Sequence, residues 1–398
     1  MSDAISSPPP LLRVAIVGTG PAGLFTAEEL LRGKRPVAIE LFEKLPLACG
    51  LVRYGVAPDH PNTKRMLTLL ERTVAHPSVR LHTGVEVGRT ISIDELRGRF
   101  DAVVLATGAE QDRALGIPGE DLPGVYSSLA IAGWVNGHPA YADLAPRLDT
   151  ETAVIIGNGN VALDLVRYFA RDPADLRETG MAPAAREALA QSRIRRIHVI
   201  GRRGPAQSAF GENEILEIGA LAGVQLRVDP VVALPNAADE AELADPANDR
   251  ARVVVQALRE YASRAPVPSA RVTVSFDFLR RPLGINGAGR VEGVTLELCA
   301  LEGDPGHQRA APTGALQSLP CGAVFVSIGH HGEPMPGVPF DAARGVIPTR
   351  DHRVVSGDDV IPGLYAAGWI KRGAKGLIGH NRRDAMETAK AIWADAAR

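Results

Sequence analysis

The chain has 398 residues (42.1 kDa), a length for two or three domains or for two with one interrupted by the other, and carries 44 basic against 46 acidic side chains, a net charge of −2. That balance argues against bulk electrostatic binding to nucleic acid or a membrane surface, while 45% hydrophobic and 23% charged residues match an ordinary soluble globular protein. No apolar run reaches the ~18 residues of a membrane span, and the opening MSDAISSPPP has neither the basic nor the apolar stretch of a signal peptide, so a cytoplasmic protein is expected.

Residues 1–10 are a polar, proline-rich lead-in, expected to be disordered. Leu12 to Val17 is a short apolar run with β-branched residues, the pattern of a buried parallel strand. Gly18-Thr19-Gly20-Pro21-Ala22-Gly23 follows and opens a helical pattern through Leu31; Pro36 to Phe42 is the next strand, closed by Glu43 and Lys44. This strand–glycine turn–helix–strand succession is the unit of doubly wound α/β sheets. Asp101 to Ala109, DAVVLATGA, is a further strand ending in a small-residue turn.

The unit then recurs. Thr152 to Ile156 is the strand, Gly157-Asn158-Gly159-Asn160-Val161-Ala162 the turn, and a helix runs to about Ala170; Arg193 to Ile200 is the next strand, ending at Gly201-Arg202-Arg203. Asn236 to Asp249, acidic and alanine-rich, reads as a surface loop with some helix. Val272 to Leu279 and Val291 to Leu298 alternate like strands of a meander, Gly322 to Ile328 and Val360 to Ala367 are strands again, and Asp384 to Ala397 is a closing helix. Gly363 to Gly376 carries the Val360–Ala367 strand into a glycine-rich turn.

A lone GxGxxG is weak evidence, but here it stands between strand and helix with Glu43 placed 25 residues after Gly18. Gly18 permits the tight turn, Gly20 lets a pyrophosphate approach the backbone, and Gly23 lets helix and strand pack closely, with the helix N-terminus facing the phosphates. Glu43 is placed to accept bonds from ribose hydroxyls. In the second unit Arg202 and Arg203 stand where the first has Glu43; guanidiniums would pair with a 2′-phosphate that a carboxylate would repel. The first unit is therefore expected to bind a dinucleotide with a free ribose 2′-hydroxyl, such as FAD, and the second NADP(H). Cys49, Cys299 and Cys321 are far apart with no CxxC, which excludes a disulfide framework, an all-cysteine zinc site and a four-cysteine iron–sulfur cluster. No metal site is expected, and His330-His331 reads as a loop for want of a partner ligand at sensible spacing.

The segments VAIVGTGPAGLFTAEEL (14–30), GLVRYGVAPDHP (50–61), IPGEDLPGVY (117–126), IIGNGNVALDLVR (155–167), VIGRRGPAQSAF (199–210) and GWIKRGAKGLIGHN (368–381) together resemble the adrenodoxin reductase type of ferredoxin–NADP reductases, mitochondrial and bacterial. The resemblance implies an α/β fold of two Rossmann-like dinucleotide-binding domains, as in glutathione and adrenodoxin reductases. An FAD domain over 11–110 and 328–398 would be interrupted by an NADP domain over 111–327. By motif position FAD would be held by Ala22, Glu43, Leu51, Val87, Trp369 and Gly376-Leu377-Ile378. NADP would be held by Asn158, Gly159, Asn160, Val161, Arg202, Arg203 and Glu214, with Gly376 close to both. His60, Asp164 and Glu214 match the catalytic positions. The implied activity is hydride transfer from NADPH to FAD and single-electron delivery to an iron–sulfur ferredoxin by a monomeric enzyme.

Departures fall on the side of the partner: Leu216 stands where relatives tend to carry an arginine, Ala374-Lys375 where they often have Pro-Thr, and His380 where they have threonine. Lys371, Arg372, Lys375, Arg382 and Arg383 form either a solvated face or a patch for an acidic electron carrier. Two other readings share the paired motifs. An electron-input subunit like the small subunit of glutamate synthase would carry an N-terminal cysteine-rich region, and a non-catalytic NADP-sensing flavoprotein would keep the fold without turnover. Cys49, lacking a second cysteine, excludes the redox-active disulfide of thioredoxin reductase.

Overall fold

A computed structural model describes residues 10–397; residues 1–9 of the proline-rich lead-in lie outside the described residues. The chain divides into two units. One runs to Val56, takes in His60–Gln111 and resumes at His330; the other is built from Ala57–Asp59 and Asp112–Gly329.

In the first unit seven strands lie in the order Thr349–Arg350, Arg353–Ser356, Asp359–Ala366, Ala102–Leu105, Leu12–Val17, Val37–Glu43, Val79–Thr83. The last five are mutually parallel, and the first two add an antiparallel edge. Ala102–Leu105 is buried throughout and Leu12–Val17 nearly so, as strands covered on both faces require. The helix Pro21–Leu31 begins with a proline, whose missing N–H is no loss at that position. It packs along the closing helix Ile378–Ala396. That closing helix starts before the expected Asp384, because the His380 ring accepts the Leu377 N–H (3.0 Å) and caps an earlier turn. His330–His331, read as a loop, is a two-residue strand.

The second unit has an all-parallel sheet in the order Val125–Ser127, Ala323–Val326, Thr152–Ile156, Arg196–Gly201, Val272–Phe278, Val224–Val228. Val272–Phe278 is thus no meander strand but a parallel member of this sheet. The antiparallel meander is Arg280–Asn286, Gly293–Glu302 and Arg309–Pro320. Alternation misled because every second residue of Val272–Phe278 is only half-buried, the pattern of a strand one place from a sheet edge. The acidic stretch forms the helix Ala237–Ala244 and leads, after a short 3₁₀ turn, into a further helix, Asp249–Ser263. The latter buries Val254, Val255, Ala257, Leu258 and Tyr261 along one side, and the Tyr261 hydroxyl donates to the Ile215 carbonyl (3.0 Å).

Candidate functional site

The two glycine turns are built alike. In the first, Gly18 has φ +95°, its N–H donates to the Phe42 carbonyl (2.8 Å), and a Cβ there would stand 2.5 Å from the Ala106 oxygen. In the second, Gly157 has φ +122°, donates to the Ile200 carbonyl (3.0 Å), and would put a Cβ 2.0 Å from the Ser327 oxygen. Neither place accepts any residue but glycine. Around a Cβ on Gly20 or Gly159, by contrast, nothing lies within 4 Å, so each turn leaves open room at the N-terminus of the helix that follows it. Such an end, with free N–H groups and the positive pole of the helix dipole, suits a pyrophosphate. The third positions differ: a Cβ on Gly23 would meet the Gly18 oxygen at 2.1 Å, whereas the second turn takes Ala162, fully buried.

Beyond the turns the chemistry diverges. Glu43 is 6% exposed; it accepts from the Thr19 N–H (3.2 Å), the Thr19 hydroxyl and the Leu45 N–H (3.0 Å). Three donors satisfy most of what a buried carboxyl group must exchange for water. In the second unit Ile156 pairs with Ile200 as Val17 pairs with Phe42. The residue in the register of Glu43 is therefore Gly201, and the expectation that Arg202 and Arg203 occupy it is corrected by one position. A glycine has taken the carboxylate's place, and Arg202 and Arg203 follow it, both exposed and neither in an ion pair among the described residues.

The first unit gathers most of its expected residues around its turn. The Cys49 N–H donates to the Thr19 carbonyl (3.0 Å), and a Cβ on Gly50 would lie 2.9 Å from Gly20 Cα, which brings Leu51 beside the turn. A Cβ on Gly368, at φ +82°, would strike the Ala22 Cβ at 2.4 Å, so Trp369 follows directly from a backbone pressed against the same helix. Trp369 Nε1 is buried with no hydrogen-bond partner among the described residues. Val87 packs in one cluster with Val17 and Phe42. Gly376 has φ +84° beneath the His380 ring, with Leu377 exposed and Ile378 opening the closing helix. Asp384 ties the Gly368–Arg372 turn together: it accepts from the Gly368 N–H, pairs with Lys371, and pairs with Arg372 at 3.1 Å. Arg382 pairs with Glu28 (3.2 Å) and lies over the Phe25 ring, so of the expected basic cluster Lys375 and Arg383 are the exposed members.

In the second unit Asn160 reaches Glu214: its Nδ2 donates to Glu214 Oε1 (3.0 Å) and its Oδ1 accepts the Gly211 N–H (2.7 Å). The Asn158 carbonyl accepts from Ala209 and Phe210 (3.1 Å each), so Asn158, Gly159, Asn160, Val161 and Glu214 form one constellation. Leu216 is exposed on the same short helix as Glu214. Asp164 belongs to a buried ion cluster centred on Arg167. Arg167, fully buried, donates twice to Asp59 (2.8 and 3.2 Å) and once to Asp164 (2.6 Å), while Arg171 reaches Asp59 at 3.3 Å. Burial works against the Arg167 charge, but the Asp59 hydrogen bonds and the charges of Asp164 and Asp59 outweigh it and raise its pKa. His60, in the first unit, is half-buried and opens the turn Pro61–Lys64, its carbonyl accepting the Lys64 N–H (3.0 Å). Lys64 donates to the Val52 and Arg53 carbonyls (3.2 and 2.6 Å), and burial, helped by the Arg53 charge, lowers its pKa to about 8. Thr19, Asp59, Arg167 and Asp384 were not read from the sequence; only Arg167, three residues after Asp164, offered a helical ion-pair signal.

All three cysteines are free and buried, and among the described residues no cluster of His, Cys, Asp and Glu could hold a metal ion. Two glycine-turn units of this kind, one interrupting the other in the chain, define a two-nucleotide oxidoreductase fold. A model of the pyridine nucleotide-disulphide oxidoreductases matches residues 12–214. The mitochondrial NADPH:adrenodoxin oxidoreductase of Bos taurus is 40% identical over 395 residues, covering 96% of this chain and 78% of that protein. NADPH-ferredoxin reductase FprA of Mycobacterium leprae is 41% identical over 385 residues, covering 95% and 83%. The structure of Mycobacterium tuberculosis FprA in complex with NADPH matches with a TM-score of 0.92 at 38% identity, over 98% of this chain and 85% of that one. The chain belongs to the pyridine nucleotide-disulphide oxidoreductases, in the branch of the NADPH:adrenodoxin and NADPH–ferredoxin reductases.

Proposed function

We propose that the protein is an FAD-containing NADPH:ferredoxin oxidoreductase, its first unit holding FAD and its second NADP(H). One contrast carries this reading: in a shared register, one unit has the buried, triply hydrogen-bonded Glu43 and the other has Gly201 followed by two unpaired arginines. A free ribose 2′-hydroxyl suits the first and a 2′-phosphate the second. The first cradle fits FAD: an open helix N-terminus at Gly20, a fixed carboxylate for ribose, and the buried indole N–H of Trp369, unpaired among the described residues, beside the same helix.

FAD, when bound, supplies a centre that takes up hydride and gives up electrons one at a time. The chain does the rest. Gly18 and Gly23 hold the turn tight so that Gly20 admits the pyrophosphate, Glu43 orients the ribose, and Ala22, Leu51, Val87, Trp369 and Gly376-Leu377-Ile378 enclose the cofactor. Asn158 to Val161 cradle the NADPH pyrophosphate, and Arg202 and Arg203 grip its 2′-phosphate. Glu214 is fixed by Asn160 on the coenzyme side, while His60 and Asp164 complete the catalytic set. Positioning of the nicotinamide supplies most of the rate. The electron acceptor is an iron–sulfur ferredoxin, and the working form is a cytoplasmic monomer; among the described residues no helix is long and apolar enough to cross a membrane.

Anaerobic mixing with NADPH tests the reading. The bound flavin should bleach with NADPH in preference to NADH, and a purified ferredoxin should then be reduced catalytically. A flavin that NADPH leaves oxidised would make the protein a non-catalytic binder, and reduction without transfer to any ferredoxin in a panel would sink the partner assignment.

A further inference from the structure

The acidic stretch read from the sequence as a surface loop with some helix carries a buried carboxylate that neither glycine turn accounts for. Asp239 is 3% exposed and lies in the first turn of Ala237–Ala244. There it closes a capping box with Asn236: the Asp239 N–H donates to Asn236 Oδ1 (2.8 Å) and the Asn236 N–H to Asp239 Oδ2 (3.1 Å). Its Oδ1 accepts from two carboxamides at 2.6 Å each, Gln207 Nε2 and Gln308 Nε2. Gln308 is held in turn by Asn236 Nδ2 (2.9 Å). A carboxylate only accepts, so both carboxamides are compelled to present their NH₂ groups to it. Gln207 Oε1 is left buried without a partner among the described residues, 3.1 Å from where a Cβ on Gly204 would stand.

Gln207 ends the short turn Pro205–Gln207, which follows Arg202, Arg203 and Gly204 without a break. The chain is fixed at further points: the Arg203 carbonyl accepts the Leu279 N–H (3.2 Å), and the Ser208 carbonyl accepts from Arg250 (3.3 Å). The backbone that carries the two arginines is therefore pinned while the arginines stay exposed, in no ion pair among the described residues.

We infer that Asp239, acting through Gln207, is a positioning residue for coenzyme choice: it sets the Gly204–Gln207 turn so that Arg202 and Arg203 meet a 2′-phosphate from a fixed backbone. This rests on the reading of those arginines as the 2′-phosphate site. An arginine that grips an anion loses rotamer freedom, and a mobile backbone beneath it adds to the loss; fixing the turn confines the cost to the side chains. NADH has no group at that place and gains nothing from the arrangement.

Steady-state kinetics of the holoenzyme, with a small dye as electron acceptor, provide the test. Gln207→Leu removes the link while Asp239 keeps Gln308 and the Asn236 N–H as donors, so the carboxylate is not stripped. The KM for NADPH should rise roughly 5- to 10-fold with kcat held, lowering the NADPH-to-NADH ratio of kcat/KM by the same factor. In an Arg202→Ala/Arg203→Ala background the same substitution should change that KM by less than about twofold, because it acts through the guanidiniums. Asp239→Asn, in which the carboxamides can turn over and close the ring again, should lower the ratio less than Gln207→Leu does. An unchanged ratio in Gln207→Leu, or equal effects in the parent and arginine-free backgrounds, would overturn the inference. If instead the double arginine variant itself keeps the parent's preference, the 2′-phosphate reading is the one that fails, and this inference falls with it.

Discussion

Glu43 receives three hydrogen bonds from Thr19 and Leu45, and a carboxylate has about four lone-pair sites, so what is left for a ribose is narrowly aimed. Glu43→Ala should raise the dissociation constant of FAD about 10- to 150-fold, the worth of a charged acceptor at roughly 1.5–3 kcal/mol. Thr19→Val should raise it less. Retention of FAD by Glu43→Ala as tight as the parent's, by ultrafiltration, would remove Glu43 from the site. Each guanidinium of Arg202 and Arg203 is worth a similar factor in the KM for NADPH, to be read from single and double alanine variants. Lys64 supplies a pH dependence of stability. Its amine titrates at about 8 when folded, against 10.5 ordinarily. Between those values the unfolded chain keeps a proton that the folded one has lost, so stability rises with pH across this window. Relative to Lys64→Met, the parent should gain on the order of 2 kcal/mol between pH 7.5 and 10.5 in urea unfolding; parallel stability curves would refute it. At this scale the sequence discloses residues constrained by backbone geometry, such as Gly18 and Gly157. It hides Thr19, whose partner lies 24 residues away, and it placed the arginines one step early because strand ends carry no mark of register.

The strands Leu12–Val17, Val37–Glu43, Thr152–Ile156 and Arg196–Gly201 and the helices Pro21–Leu31 and Asn160–Ala170 were legible because each glycine turn joins a β-branched apolar run to a helix with a spacing that has one use. Asp249–Ser263 was not, since its apolar stripe follows directly on an acidic stretch that looks like loop. Val272–Phe278 shows the opposite failure: its alternation is real, but pairing partners are a property of the whole sheet and not of the strand. The helix Asn160–Ala170 does two jobs, its N-terminus open for a nucleotide and its last turns closed around Arg167. Arg167→Met should cost roughly 3–5 kcal/mol, because the Asp59 side chain, 2% exposed, would lose its bidentate partner in a buried place. A shift in urea midpoint worth less than about 1 kcal/mol would show that water or Arg171 can replace it.

With a net charge of −2 the whole molecule exerts little long-range pull, so a charged partner has to be met by a local face. Lys371 and Arg372 are engaged with Asp384 and Arg382 with Glu28, which leaves Lys375 and Arg383 as the most available cations of that region. If they receive an acidic ferredoxin, its reduction should slow as salt rises past a Debye length of ~8–10 Å, and reduction of a neutral dye should not. Salt-independent ferredoxin reduction in both the parent and Lys375→Glu/Arg383→Glu would clear this face of the role. The interrupted layout of the chain also sets an order of events during synthesis. Ala102–Leu105 leaves the ribosome early, yet one of its two neighbours in the sheet, Asp359–Ala366, emerges only after all of Asp112–Gly329 has been made. The second unit, by contrast, has every strand of its sheet once Ala323–Val326 is out. The inserted unit can close first, while its host waits with an open, apolar sheet edge that a nascent chain must keep from mispairing.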